Sequence, residues 1–484
     1  MKIYKLTIIL FAFNCFGQKQ ANIWYFGDKA GVDFNGGSPT ALLNGQLTFP
    51  SGQNHNEGTS VISDSSGAVL FYSDGMTVWN KNHIIMQNGT GLLGNFSSTQ
   101  SSIIVPQPGQ PNRYYYIFTI GSMLTGPVGG GFRYSKIDMC LDGGLGGVIP
   151  TQKNIKLLDT ITEKIAVTRH SNGTDYWILV HKFNSNKFLT MRLTSTGVID
   201  TIVTATGSTH PSTFNTWVQG QMKFSPNGQK IAVGGAGGLK LLELFNFNNL
   251  TGVVSNSMAL SRIDNGDVYG VEFSPDNSKL YTQSSSYTPF GLDFGQYDLS
   301  SGNVVTINSS MNSLYHNPSP SSALLIGLQL ATNGKIYMIS NGNYGMLSVI
   351  NNPNVYGAGC NYQAQVISLG GKMGSLSLPT FIAGFDYSNG LIQCPTGISE
   401  NTIKNNFSIF PNPFSYETVI TIGNSNKTID VSIINYLGQT IKQIKNVSGP
   451  TITLLRDNLP SGLYYLMITQ DSKSILKKLV ITDD

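Results

Sequence analysis

Charge is scarce in this chain: Asp, Glu, Lys and Arg make up 12% of 484 residues, about half the usual globular share. The formal net charge is +4, and two units of it come from Lys2 and Lys5 at the extreme N-terminus. So small a surplus leaves no electrostatic case for nucleic acid or an anionic membrane as partner. Cysteine is nearly missing, with Cys15, Cys140, Cys360 and Cys394 the only four, and no CxxC occurs. Zinc and dithiol redox motifs are thereby excluded. No segment reaches 18 consecutive apolar residues, and none sustains a 3.6-residue apolar period, so membrane helices and long amphipathic helices are not expected. What is plentiful is Gly, at 54, with 22 Tyr and 24 Phe. That balance favours an all-β protein of short strands and tight turns, long enough for more than one domain.

The chain starts "MKIYKLTIILFAFNCFGQ". Lys2 and Lys5 precede an apolar stretch, Leu6 to Phe13, that is too short to span a bilayer. With Cys15 and Gly17 at the small-residue positions, residues 1–17 read as a signal peptide cleaved before Gln18. Export through an oxidising compartment then leaves Cys140, Cys360 and Cys394, an odd number that allows one bridge. Cys360 and Cys394 flank the expected closing strands and are the expected pair, with Cys140 buried and free.

Between residues 22 and 385 a turn recurs. "FSPNGQKIAV" (224–233), "FSPDNSKLYT" (273–282) and "LATNGKIYM" (330–338) each place a polar turn between an apolar residue and an alternating strand. Looser copies are "SDSSGAVLFY" (63–72), "PQPGQPNRYYYIF" (106–118) and "HSNGTDYWILV" (170–180). Asn-Gly and its relatives supply the positive φ that tight hairpins need. A period near fifty with several strands per unit predicts a β-propeller, and the span accommodates seven blades. The seventh would hold "MLSVINNP" and "SLSLPTFIAGF", closing the ring against "NIWYFGD" (22–28). These repeats resemble WD40-like and YVTN-type propellers. "LFYSDGMTVWNKNH" and "NGTGLLGNFSSTQSSIIVPQPG" are similar, more narrowly, to the propeller region of gliding-motility-associated and surface proteins of the Bacteroidota.

Residues 391–401 read as a polar linker, and 402–484 as a separate module of six or seven short alternating strands, an Ig-like sandwich. Its text contains Pro411-Asn412-Pro413, Leu437-Gly438-Gln439, Gly462-Leu463-Tyr464, and Lys473, Lys477 and Lys478 around an apolar terminal strand. In that order the motifs resemble the type A C-terminal sorting domain of the type IX secretion system. The resemblance implies passage across the outer membrane, recognition by that machinery and its sortase, removal of the domain, and anchoring to surface lipopolysaccharide.

Chemistry is harder to find. The six histidines, His55, His83, His170, His181, His210 and His316, form no HExxH and no pair at metal-ligand spacing. No GxSxG elbow is present, and "GPVGGGF" (126–132) lacks the lysine of a phosphate loop. "YSDGMTVWN" (72–80) departs from the sialidase-type Asp box, leaving Asp74 and Trp79 as a blade turn and a packed indole. Glu57, Glu163, Glu243 and Glu272 are the propeller's only glutamates and read as solvated or turn-capping side chains. "DFNGG" (33–37) and "LDGGLGG" (141–147) are loops whose oxygens suit calcium, while Asp159-Thr160-Ile161 and Asp200-Thr201-Ile202 fit an O-glycosylation pattern. No catalytic residue, cofactor or resident metal is assigned. The expected function is non-catalytic binding of a glycan or protein at the cell surface. The alternative is a polysaccharide hydrolase or lyase with carboxylates at the channel mouth.

Overall fold

Between residues 23 and 368, seven small antiparallel sheets follow one another in the computed structural model. It describes residues 18–483 except 54, 122–130, 211–218, 263–265, 288–289, 319–324, 341–342, 388–393, 395–407, 422–427, 436–437 and 471–472. The expected signal peptide, and the expected linker apart from Cys394, fall outside the described residues. Each sheet is one blade of a seven-bladed β-propeller. Blades 2 to 7 begin with inner strands Ser60–Ser63, Ser102–Pro106, Ile161–Arg169, Met222–Phe224, Asp267–Phe273 and Leu328–Leu330. Nearly every residue on them is buried, so they read as unbroken runs where the outer strands alternate.

The six recurring turns are the hairpins between inner and second strands of blades 2 to 7. In each, a backbone bond closes the loop, as from Ser225 N–H to Lys230 O at 2.9 Å and Ser274 N–H to Lys279 O at 3.0 Å. The residue needing positive φ is Gly228 at 67° in one and Asn277 at 65° in the other, and Asn227 Oδ1 accepts the Gln229 N–H inside the first.

Blade 1 has no such turn because its halves come from opposite ends of the propeller sequence. Strands Ile23–Phe26, Ala30–Asp33 and Thr40–Leu42 form its sheet. Segment 373–387 runs antiparallel to residues 18–28 on the axis side, with Asp28 N–H donating to Met373 O at 2.7 Å and Tyr387 N–H to Gln18 Oε1 at 2.5 Å. Phe381 packs on Trp24 with ring centroids 5.9 Å apart. The same segment joins neighbouring inner strands, Gly327 N–H to Leu376 O and Thr380 N–H to Thr59 O, both 2.8 Å. "SLSLPTFIAGF" therefore meets "NIWYFGD", but as the inner element of the first blade. The seventh sheet is complete without either, ending in strand Tyr362–Ser368.

The expected Cys360–Cys394 pairing is corrected. Cys140 is bonded to Cys394, and Cys360 is free and buried. Cys360 ends a 3-10 turn, Gly357–Cys360, and sits in the apolar core of blades 6 and 7, whereas Cys394 follows the closing segment to the loop after strand Phe132–Asp138 of blade 3. A bridge spanning 254 residues stabilises by on the order of 5 kcal/mol in the chain-entropy account. Cys140→Ser is expected to lower the melting temperature by several degrees, read by calorimetry. Non-reducing peptide mapping should recover Cys140 joined to Cys394, and Cys360 should react with alkylating agents only after unfolding.

The second compact unit is Pro395–Asp484. It is a sandwich of two antiparallel sheets, one ordered Ser408–Phe410, Glu417–Thr421, Thr451–Leu455 and the other Thr440–Val447, Ile429–Ile434, Gly462–Gln470, Lys473–Ile481. Alternation places Ile420, Val431, Ile433, Leu466, Ile468, Leu479 and Ile481 between the sheets as its own core.

Candidate functional site

All four propeller glutamates, expected to be solvated or to cap turns, are at most 4% exposed. Glu57 lies three residues before the inner strand of blade 2, and Glu163 and Glu272 lie on inner strands, so three of them belong to the channel. Tyr269, on the inner strand of blade 6, donates its hydroxyl to Glu57 Oε2 at 2.5 Å. Glu163 accepts from the Thr99 N–H at 3.2 Å and the Thr99 hydroxyl at 3.4 Å. Beside it, the Lys164 ammonium donates to Gln219 O at 2.6 Å. Tyr269 thereby ties blade 6 to blade 2, and Glu163 and Lys164 tie blade 4 to the segments leading into blades 3 and 5. Part of the signal was present in the sequence, since "ITEKIAV" sets Glu163 and Lys164 inside a strand of mainly aliphatic residues.

Removing two carboxyls from water in one network favours a retained proton. Burial, then the charge of Glu163, raises the Glu57 pKa to about 8. Burial lowers Lys164 to about 7, with Glu163 acting against the shift. His181 and His210 stack at 3.8 Å between ring centroids. Burial, then Lys164, pushes His181 down to about 3, and burial, then His181, pushes His210 well down. The folded chain thus holds a Glu57 proton that the unfolded chain releases near 4.5. Stability from this group is complete below that value and is lost as pH rises through about 8. Glu57→Gln cannot ionise, and the lysine and histidines remain in both proteins. The melting temperature of wild type minus that of Glu57→Gln is expected to fall by several degrees between about pH 5 and pH 8, followed by thermal melts.

A second polar group lies nearer the closing segment. Lys223 bonds Glu272 at 3.1 Å and also Gln329. These three, with Gln100, Phe224 and residues 380–385, line a small cavity of about 30 Å³. Arg169, at the end of the blade 4 inner strand, pairs with Asp386 at 3.1 Å. Among the described residues, Glu57, Glu163, Lys164, Lys223 and Glu272 are each engaged by groups of the chain itself.

The remaining candidates have structural partners. Asp74 Oδ1 accepts from Met76 and Thr77 N–H at 2.8 and 2.7 Å, closing a blade turn, and Trp79 stacks on Tyr72. Glu243 accepts from the Ser208 hydroxyl at 3.0 Å and joins blades 4 and 5. His83 contacts Asn44 and Tyr72, His170 accepts from Asn172 N–H, and His316 pairs with Asp293. Among the described residues no three metal-binding side chains converge, at loops 33–37 and 141–147 or elsewhere. Thr201 is exposed on the outer strand of blade 4, and Thr160 is half-buried. Most of loop 126–132 lies outside the described residues.

In the second unit, three of the four motifs meet on one strand, Lys473–Ile481. Gly462 pairs with Ile481 and Tyr464 with Leu479 along one edge. On the other edge, the Asn412 side chain donates to Lys478 O at 2.8 Å and accepts from Val480 N–H at 2.8 Å. Thr418 holds the loop by donating its hydroxyl to Pro411 O at 2.6 Å, and Pro413 leads into Phe414, which bonds Val480 and Thr482. Lys477 and Lys478 are exposed, and Lys473 pairs with Gln470 at the hairpin end. Leu437 lies outside the described residues. Gly438 and Gln439 close a turn on Asn435 between the strands Ile429–Ile434 and Thr440–Val447.

Residues 408–482 match the family described as a secretion system C-terminal sorting domain. No curated protein matches the chain. A Lactobacillus plantarum protein of known structure is similar at 13% identity and TM-score 0.37, covering 82% of this chain and 98% of its own. The periplasmic gluconolactonase of Pseudomonas aeruginosa is similar at 12% identity and TM-score 0.35, with 80% and 94% covered. Likeness at this level says nothing of activity or ligand.

Proposed function

We propose, from the premise that a type IX sorting tail carries this chain to the cell surface or extracellular space, that the propeller is a non-catalytic binding module for a glycan or protein. The observation that carries the reading is that the channel carboxylates are already engaged by the chain itself. The converging carboxylates Glu57 and Glu163 are engaged by Tyr269 and Thr99, and segment 373–387 fills the inner place of blade 1. A substrate would have to displace the chain itself to reach them, whereas the outer loops are free to make contacts. The hydrolase or lyase alternative draws on the raised Glu57 pKa, which suits a general acid. After export the sorting unit is removed by the sortase, and the propeller is held on surface lipopolysaccharide or released to the medium. Glycan and protein arrays with the protein recovered from the cell surface, followed by product analysis of each ligand, test this. Retention of an unchanged ligand supports binding, and release of shortened sugar chains that Glu57→Gln abolishes establishes the enzyme.

A further inference from the structure

A propeller held at the cell surface by its C-terminal end comes under tension whenever a bound partner is dragged away. That tension enters at Cys394, the last residue of the propeller's compact unit. Just before it in the chain lies the closing segment 373–387, which is poorly held against such a pull. Its bonds go to different neighbours in succession. Tyr387 N–H meets Gln18 Oε1 at 2.5 Å, and Asp386 pairs with Arg169 at 3.1 Å. Further in, Thr380 N–H donates to Thr59 O and Gly327 N–H to Leu376 O, both at 2.8 Å. A pull from the C-terminal end meets these one at a time, and each hydrogen bond is worth only about 1 kcal/mol net.

The bond from Cys394 to Cys140 offers the tension another path. Cys140 lies two residues beyond strand Phe132–Asp138, which is interior to its sheet. All seven of its residues are in register with Tyr114–Ile120 on one edge. On the other edge it pairs with Gly147–Val148 and with Ile155–Leu158. The exit from the strand is fixed as well. Arg113 donates twice to the Asp138 carboxylate, at 3.1 and 3.0 Å, and Arg113 O accepts the Met139 N–H at 2.8 Å. Asp138 Oδ1 also accepts the Cys140 N–H at 2.9 Å. A pull that reaches Cys140 is shared among all of these bonds together.

We propose that the Cys140–Cys394 bridge is a force shunt, passing tension from the C-terminal end into the interior strand of blade 3 and away from segment 373–387. With the bridge closed, the segment that completes blade 1 bears none of the pull until blade 3 yields. With it open, the same pull strips the segment out and leaves the buried strand Ile23–Phe26 without its cover. The shunt rests on the surface-retention reading above and gives the retained propeller a means of holding a partner under drag.

The test stretches single molecules of the full mature chain between a bio-orthogonal handle in place of the Leu250 side chain and another after Asp484. Leu250 is 68% exposed in a turn of blade 5 and belongs to neither path. Unfolding of the sorting unit is common to every sample and marks each trace. In the oxidised protein the next event is expected to be rupture of the propeller at high force, with no smaller step before it. In Cys140→Ser, and in wild type reduced before stretching, a low-force step should come first. It should lengthen the molecule by roughly 70 Å, the extended length of residues 373–394. Both cysteines are half-buried, so a reductant reaches the bridge in the folded protein, and the reduced wild type decides should Cys140→Ser fail to fold. An oxidised protein that gives the same early step, or a reduced one that gives none, overturns the shunt. The surface reading fails by a different measurement, recovery of the propeller from the medium alone, which leaves these traces unchanged.

Discussion

A propeller lacking residues 22–28 is expected to have no cooperative melting transition and to aggregate. The deletion removes strand Ile23–Phe26, whose four residues are all buried. Trp24 and Phe26 are wholly inaccessible to water, and burying two such side chains contributes several kcal/mol in total. Losing the strand also frees Ala30–Asp33 on one side and segment 373–387 on the other, so two unpaired edges open in one blade. The net stability of a folded domain is only about 5–15 kcal/mol, and no other strand can take the vacated place. Calorimetry together with light scattering reads the result. A soluble deletion protein with a single sharp transition would mean that segment 373–387 does not depend on its pairing with the N-terminal strand.

The largest effect on location is expected from ending the chain after Lys473. Strand Lys473–Ile481 supplies Leu479 and Ile481 to the sandwich core and is the sole partner on one side of Gly462–Gln470. Without it the Asn412 side chain loses both of its bonds. The propeller has its own core and belongs to a different compact unit, so it should fold and keep its Cys140–Cys394 bridge. Cell fractionation should find the truncated protein in the periplasm, folded and without its first 17 residues. The intact chain should be found at the surface or in the medium, lacking Asp484. Surface display of the truncated chain, or an exported form that retains Asp484, would contradict the sorting role.

Six blades were legible in the sequence because six hairpins each hold their turn within a few consecutive residues. Gly67, Gly109, Gly173, Gly228, Asn277 and Gly334 all sit at positive φ in those turns. Blade 1 was legible only as a meeting of two texts, since the residues that would form its hairpin are more than three hundred positions apart. The cysteine pairing was misread for the same reason. In a closed ring the neighbour of Cys394 is set by where the closing segment leaves the channel, which order along the chain does not encode. The glutamates were misread because composition speaks for solvated acids, while their place in the inner strands decides burial. In the sorting unit the motifs were legible one by one. Their convergence on a single strand was not, because a contact between a side-chain amide and a main-chain edge leaves no periodic trace.

The split first blade also fixes an order of events. Residues 18–28 are the earliest part of the mature propeller to emerge, and their partner, segment 373–387, is the last. The inner side of the first blade can be covered only after the sequence of the six further blades has been made. Cys394 comes later still along the chain, so the native partner of Cys140 exists only after the closing segment has been made. The bridge therefore ties the last-made part of the propeller back to its third blade, so one covalent bond joins early and late stretches of the ring.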